Sequence, residues 1–445
     1  MINRYLITLF LLSLSSPIIA QQWDPWLQPG VTLRELNHRP GGDLLESENI
    51  FLEARMGVSD EYSNQWSWFI DGRARVFSEG GSLTDENELE RTIDNDEFYY
   101  LQLREAWIRY SGLTRYPNEY ITFGLQRLRE RTGLWWDVDI ESVSWYGDTT
   151  QLDWLVAIGQ EFDTYRTSSE LLRQNEDVFR VMAEVNYDWI AYHSVDFRFS
   201  HADQHTQDEQ NALAETAIGA NANVRWLSIG LSFDWTEARS YSPWAYHLEW
   251  AIQRGKTNLR ADGGAVEFRD IDAHALDAGV RYDFRRLPLS VGATFVRGSG
   301  GADRSSTKNF SQTGLHTNRA RHYGNRQYLH RFNEALRADI TNLQQISLFA
   351  AWNPSESFES VVLVSKYTKS DDQQPIYVAG RPVDVINGES AVGTSIDINA
   401  TYYPQSTTLW NLNVLRLRAG FFQPDNGLSD DATDYRVTLE AQFRY

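Results

Sequence analysis

The sequence predicts an all-β protein, a transmembrane antiparallel β-barrel with long polar loops, and three observations predict it. Apolar and polar residues alternate with a period of two in segments spread along the whole chain. Aromatic residues are abundant, with 16 Trp, 22 Tyr and 21 Phe, although mean hydropathy is −0.49. After residue 20 there is no apolar run of about eighteen residues, the length a membrane-crossing helix needs. Trp and Tyr favour membrane–water interfaces, so a polar chain rich in both suits a barrel with a wet lumen.

Taken in order, residues 1–20 read as a leader. Arg4 supplies a positive charge, Tyr5 to Leu14 form an apolar stretch, and Ser15, Ser16 and Pro17 lead to Ala20 and then Gln21 and Gln22. That is the order of a secretory signal peptide cleaved after Ala20, and the stretch is short for an anchor helix. Residues 21–445 are then expected to form one barrel in the outer membrane of a bacterium. Length alone would also accommodate several soluble domains, so the composition of the strand faces has to decide.

Ile50, Leu52, Ala54, Met56 and Val58 share one face of a strand, with Glu53 and Arg55 on the other. Trp66, Trp68, Ile70, Ala74 and Val76 repeat the pattern against Asp71, Arg73 and Arg75. Leu227 to Trp235 and Trp244 to Ile252 continue it, as do the segments Leu276–Phe284, Ile346–Trp352 and Ile396–Tyr402. A soluble sandwich buries its apolar face against a second sheet, whereas a membrane barrel turns it to lipid and gathers charge in the lumen. Trp66, Trp235, Trp244 and Trp352 stand at strand ends, as interfacial girdles require. The last strand carries Tyr435, Val437, Leu439, Ala441, Phe443 and Tyr445 on one face, an apolar stripe ending on an aromatic residue. At roughly 20–25 residues per strand and connection, the chain holds about 16–20 strands, an even number enclosing a lumen too wide for side chains alone to fill.

Two connections stand out. Ser78–Glu97 is strongly acidic and reads as a solvated loop or a cation site, although it lacks the spacing of a calcium-binding helix–loop–helix. Arg297–Arg326 carries Arg297, Arg304, Lys308, Arg319, Arg321 and Arg326 against Asp303 alone, with Gly298, Gly300 and Gly301 at its start. It reads either as a disordered connection or as an electropositive plug.

Cysteine is absent, so neither disulfides nor thiolate metal sites are available. A net charge of −20 argues against nucleic acid, which needs a basic face. Of 41 basic residues only Lys256, Lys308, Lys366 and Lys369 are lysine. Arginine pairs two-handed with carboxylates and stays charged in partly dry surroundings, so it suits bracing ion pairs or an anionic substrate. No catalytic constellation appears: the 9 His show no zinc-protease spacing, and there is neither a Gly-x-Ser-x-Gly elbow nor a phosphate loop. His247, on a polar strand face, reads as a lumen hydrogen-bonder. The chain is expected to need no cofactor.

The segment Leu103–Thr150, LREAWIRYSGLTRYPNEYITFGLQRLRERTGLWWDVDIESVSWYGDTT, resembles the alginate-export porins. So do RGSGG at Arg297–Gly301, FSQTGLHTNR at Phe310–Arg319, HRFNEALRADITNLQ at His330–Gln344 and, more weakly, LRLRAGFFQP at Leu415–Pro424. The resemblance implies an eighteen-stranded outer-membrane barrel that exports alginate, a polyuronate with one carboxylate per sugar, through an arginine-rich constriction plugged by loops when idle. It also implies periplasmic and inner-membrane secretion partners. A polyanion moving through a channel needs favourable but weak, repeated contacts.

Arg104 alternates with Leu101, Leu103 and Trp107, and Arg337 with Ala338, Ile340, Ile346 and Leu348, which places both inward if those residues meet lipid. Arg416 and Arg418 oppose Leu415, Leu417, Ala419 and Phe421. Arg127 and Arg129 match the family stretch but share parity with Ile121, Phe123 and Leu125, so that either a bulge intervenes or the strand ends before them. Asp137 and Asp139 are the expected acidic counterparts, and Arg55, Arg73 and Arg75 are inward by pattern alone. The reading is a monomeric, anion-selective barrel in outer-membrane lipid that exports an anionic polysaccharide. Its rivals are an uptake porin for acidic oligosaccharides and a barrel enzyme acting on lipid or polysaccharide.

Overall fold

A computed structural model describes residues 24–38, 45–63, 65–78, 98–116, 118–130, 132–167, 171, 178–204, 213–214, 222–233, 242–260, 266–303, 306–320, 322–323, 329–378, 380–404, 412–429 and 432–444. The leader 1–20, the acidic connection beyond Ser78, Trp235 and Tyr445 lie outside these residues.

Eighteen strands form one closed antiparallel barrel. They are β1 (Asp24–His38), β2 (Leu45–Ser63), β3 (Trp66–Phe77), β4 (Tyr99–Tyr110), β5 (Tyr120–Arg129) and β6 (Asp137–Asp148). Next come β7 (Leu152–Gln160), β8 (Val178–Ile190), β9 (His193–Gln204), β10 (Ala222–Phe233), β11 (Trp244–Arg260) and β12 (Val266–Asp283). The last are β13 (Leu289–Gly298), β14 (Leu343–Ser355), β15 (Phe358–Lys369), β16 (Ala391–Tyr402), β17 (Leu412–Pro424) and β18 (Asp434–Phe443). β18 returns to β1, with Gly30 opposite Gln442 and Asn37 opposite Tyr435, so the sheet has no terminal edge to aggregate through. Short turns such as 149–151 and 191–192 lie at one end, and connections as long as 299–342 and 370–390 at the other.

Alternation sets the two faces. On β3, Ile70 is 46% exposed while its neighbour Asp71 is at 0%. Such a distribution inverts a soluble protein and suits a wall whose outer face is solvated by lipid. At the turn end Trp66 packs on Tyr110 and Trp244 on Tyr282, each with ring centroids 4.7 Å apart, and Trp352 meets Phe358. These are the expected girdle positions.

β4 departs from strict alternation. Asp71 faces Glu105 but Gly72 faces Leu103, leaving Arg104 as the extra residue of a bulge. The bulge flips parity beyond it, so Trp107, expected on the lipid side with Leu101 and Leu103, lies instead beside Phe69 at 5.5 Å, with Arg109 4.4 Å over its ring. Arg104 itself still points inward and is buried.

Candidate functional site

Among the described residues two pieces of the chain fill most of the lumen, and Ile376 and Val378 of the connection 370–390 pack into the apolar cluster that they share. The first is the β5–β6 hairpin. Those strands pair along their whole length, Tyr120 with Tyr146 through Arg129 with Asp137. β4, however, pairs with β5 only from Ala106–Leu125 to Tyr110–Ile121. Beyond that point the hairpin leaves the wall and dips inward, carrying Leu128, Leu134, Trp135, Trp136 and Ile140 into a buried apolar cluster. The edge of β4 that it abandons is taken by the connection after β7: the Leu103 amide donates to Tyr165 O at 2.9 Å, and the Thr167 amide to Leu101 O at 3.0 Å. Gly124 marks the departure point. Its φ is +122°, and a Cβ there would lie 2.3 Å from the Ala106 carbonyl oxygen.

The second piece is the connection 299–342 between β13 and β14. Its described residues fold into the lumen as a plug, while Arg304, Arg321 and Arg326 of the basic stretch lie outside the described residues. Phe310 and Leu315 join the hairpin's apolar cluster with Phe332, Leu336 and Ile340. Polar contacts tie the plug to both hairpin and wall. The Asp137 amide donates to Leu315 O at 2.7 Å, Trp226 Nε1 to Ser311 O at 2.7 Å, and Arg180 Nη1 to Thr313 O at 2.8 Å. Further on, Arg331 pairs with Asp277 at 2.6 Å, and Asn333 Nδ2 and the Glu334 amide both donate to Asp397 Oδ1 at 2.8 Å. Leaving such buried groups unmatched would cost about 1–3 kcal/mol each, so these bonds hold the plug in its seat.

Each of the nine arginines that the sequence assigns to the lumen path has an acidic partner. Arg55 chelates buried Asp71 and lies 5.3 Å over the Trp26 ring. Arg73 reaches Gln102 and lies 3.7 Å from Glu53, which also holds Arg75. Arg104 pairs with Asp139 at 3.2 Å. Arg127 and Arg129 share Asp137 at 2.6 and 3.4 Å. Neither a bulge in β5 nor a strand end explains their parity: the register with β6 is unbroken, and because the whole hairpin bends in, its outer face meets the inner side of β4. Arg416 and Arg418 share Glu440 at 3.2 and 3.4 Å. Arg337 is the clear correction. It sits on no strand but in a turn of the plug with φ +49°, buried, 3.4 Å from Glu334.

Sequence reasoning missed the group at the hairpin's seat. Arg198 of β9 lies 2.9 Å from Glu184, 3.0 Å from Glu249 and 4.0 Å from Glu130, all buried. Trp135 Nε1 donates to Glu249 at 2.8 Å, and the Trp135 amide to Glu130 at 3.1 Å. Burial, only partly offset by Arg198 and reinforced by Glu184 and Glu249, pushes the Glu130 carboxyl up to about 7. Glu334 of the plug goes the other way: burial raises it, but Arg418, Arg337 and Arg319 together hold it well below the usual range. Alternation marks Arg198 as inward between Phe197 and Phe199 and Glu249 as inward between Leu248 and Trp250; nothing local marks that they meet. His247 Nε2 donates to the Asp277 carboxylate at 3.1 Å, the hydrogen-bonding role expected of it. Beside Arg73, Arg104, Arg127, Asp137, Asp139 and His316 lies a cavity of about 80 Å³.

A closed barrel with lipid-facing apolar strands, a charged interior and an inward-folded loop is an outer-membrane protein of porin architecture. Solved porin-type barrels share that fold. OccK9 (OpdG) of Pseudomonas aeruginosa superposes with a TM-score of 0.60 at 12% identity, over 95% of this chain and 99% of that one. OccAB2 of Acinetobacter baumannii gives 0.57 at 10%, over 95% and 98%. The alginate-export family model matches residues 55–440. Among curated relatives, the alginate production protein AlgE of Azotobacter vinelandii is 30% identical over 93% of this chain and 90% of its own length. Its namesake in Pseudomonas aeruginosa is 29% identical over 93% and 89%. The chain belongs to the alginate-export family of outer-membrane barrels.

Proposed function

We propose that this barrel is a passive export channel for alginate and that the charged inner face described above is the polymer's path. Family membership supports the substrate, and a channel of this family catalyses no reaction. The observation that carries the manner of transport is that Arg55, Arg73, Arg75, Arg104, Arg127, Arg129, Arg337, Arg416 and Arg418 all have carboxylate partners within 4.0 Å. A uronate arriving at such an arginine exchanges one carboxylate for another on the same guanidinium. Pairs made and pairs broken nearly balance, so each site attracts the polymer without trapping it. The same arrangement reconciles a net charge of −20 with a polyanionic cargo, since the acids are the resting counter-ions of the path. The plug and hairpin have to shift before a chain of sugars can pass.

Short turns face the periplasm in bacterial barrels and long loops face outside. Polymer therefore enters at the turn end, handed over by periplasmic and inner-membrane secretion proteins, and leaves past the plug. The reading takes the leader as removed on export and the barrel as working alone, without a cofactor. Single-channel recording in planar bilayers tests it, with oligo-uronates and uncharged dextrans of similar size added in turn. Anion-selective current blocked by the uronates alone, and less blocked in Arg104→Glu, is the expected result. Open pores without anion preference and without uronate block would remove the path assignment.

A further inference from the structure

In a chain whose nine candidate lumen arginines are paired, the outward-facing cations form a separate pattern. Apart from the inward hairpin, the described strand residues turn five cations to the outside of the wall: Arg225 on β10, Arg254 and Lys256 on β11, Arg297 on β13 and Lys366 on β15. All five lie at the loop end of their strands, in one sector. Each follows directly on a lipid-facing column: Arg225 beyond Leu227 and Ile229, Arg254 beyond Ile252 and Trp250, Arg297 beyond Phe295, Lys366 beyond Val364 and Val362. Two residues along a strand is about 7 Å, so these charges sit at headgroup depth. On neighbouring or distant strands the same position is Gln344, Thr394, Gln423 or Glu35.

Their pairing is incomplete. Arg254 holds Asp272 at 2.5 Å, and Asn223 Nδ2 donates to Asp203 at 3.3 Å. Asp270 stands opposite Lys256 in the ladder, but Arg225, Lys256, Arg297 and Lys366 form neither an ion pair nor a hydrogen bond among the described residues. Arg225 is directly opposite Arg254 on the same face. Like charges so placed destabilise a sheet unless an anion lies between them. The long aliphatic stems of lysine and arginine can cover hydrocarbon while the heads reach phosphates just above it.

We propose that the loop-end rim of β10–β15 binds the phosphate groups of phosphorylated lipid headgroups in the outer leaflet. One such phosphate seats between Arg225, Arg254 and Lys256, and Arg297 and Lys366 extend the surface along the same belt. The barrel is thereby fixed in depth and rotation on the side of the wall that bears the plug's parent strands, β13 and β14.

The full chain in phosphatidylcholine nanodiscs tests this, with diphosphorylated lipid A, its dephosphorylated form or inorganic phosphate added, and retained ligand read by native mass spectrometry. Wild type retains the diphosphorylated glycolipid and not the other two. Arg225→Gln and Lys366→Gln each lower that retention about fivefold, while Arg285→Gln at the turn end leaves it unchanged. Lys366→Gln removes one lipid-side charge without touching the ladder, so the test stays readable if a multiple variant fails to fold. Equal retention by wild type and both rim variants, or of the dephosphorylated lipid, overturns the proposal. Retention of inorganic phosphate to the same extent would mark a plain anion site and overturn it too.

Discussion

The wall and the plug occupy one barrel but are held by different forces. The wall is a continuous backbone ladder whose side chains obey a period of two, and its apolar groups are satisfied by lipid. Among the described residues the plug has little ladder, Arg319–Ala320 against Leu329–His330 and the short parallel pairing of Ser306–Thr307 with Asp270–Ile271 of β12, and most of it is held by side chains that bond backbone across gaps in sequence. Ser311 N to Gln253 Oε1 at 2.9 Å and Gln345 Nε2 to Arg331 O at 2.6 Å are typical. Contacts of the second kind break and re-form singly, so the plug can leave its seat while the wall stays whole.

Removing the plug gives the largest effect. Replacing residues 306–340 with a short glycine–serine linker is expected to leave a heat-resistant barrel and to raise single-channel conductance at least tenfold. Loss of barrel folding in that variant would show that plug and wall are one cooperative unit. Within the intact protein, Asp277→Asn strands Arg331, which is 1% exposed, in the lumen. Breaking a buried pair in this way costs about 3–5 kcal/mol, and the expected sign is faster protease cleavage of the plug at unchanged barrel stability.

A pH change should act on the hairpin's seat. A carboxyl whose pKa is about 7 when seated and 4.5 when released binds an extra proton in the seated form. Support for seating is therefore complete below the released value and is lost as pH rises towards 7, by about 3 kcal/mol in all. Channel opening should become more frequent between pH 5 and 8 in wild type, and Glu130→Gln should flatten that slope. On the wall, Leu348→Arg on the lipid face of β14 should cost about 2–4 kcal/mol in reversible unfolding and leave the gating unchanged. Smallest of all, Gly124→Ala strains the point where the hairpin departs, by about 1–3 kcal/mol, and should appear as altered conductance before it appears as lost stability. Unaltered conductance would mean that the hairpin's inward bend does not depend on that glycine.

How much was legible follows from the same contrast. Arg55, Arg73, Arg75, Arg416 and Arg418 lie where alternation puts them, because a strand's side chains take sides by counting. Arg104 was placed rightly and its neighbour Trp107 wrongly, because one extra residue in β4 resets the count. Arg337 was read as a strand residue since Ala338 and Ile340 beside it mimic alternation; it belongs to the plug, whose apolar residues pack inward on other loops. Arg127 and Arg129 looked anomalous for a reason no local pattern contains: a hairpin with perfect internal register had swung off the wall.

By itself, then, the sequence determined the wall: a polar chain with alternating apolar faces and interfacial aromatics has no better way to satisfy its backbone in a bilayer than to close into a barrel. It also determined which family motifs the chain carries. Only the tertiary structure decided what fills the lumen and which acid rests on which arginine. Those partners come together from strands and loops far apart in the chain, by charge and fit in a confined space, and no periodicity records them.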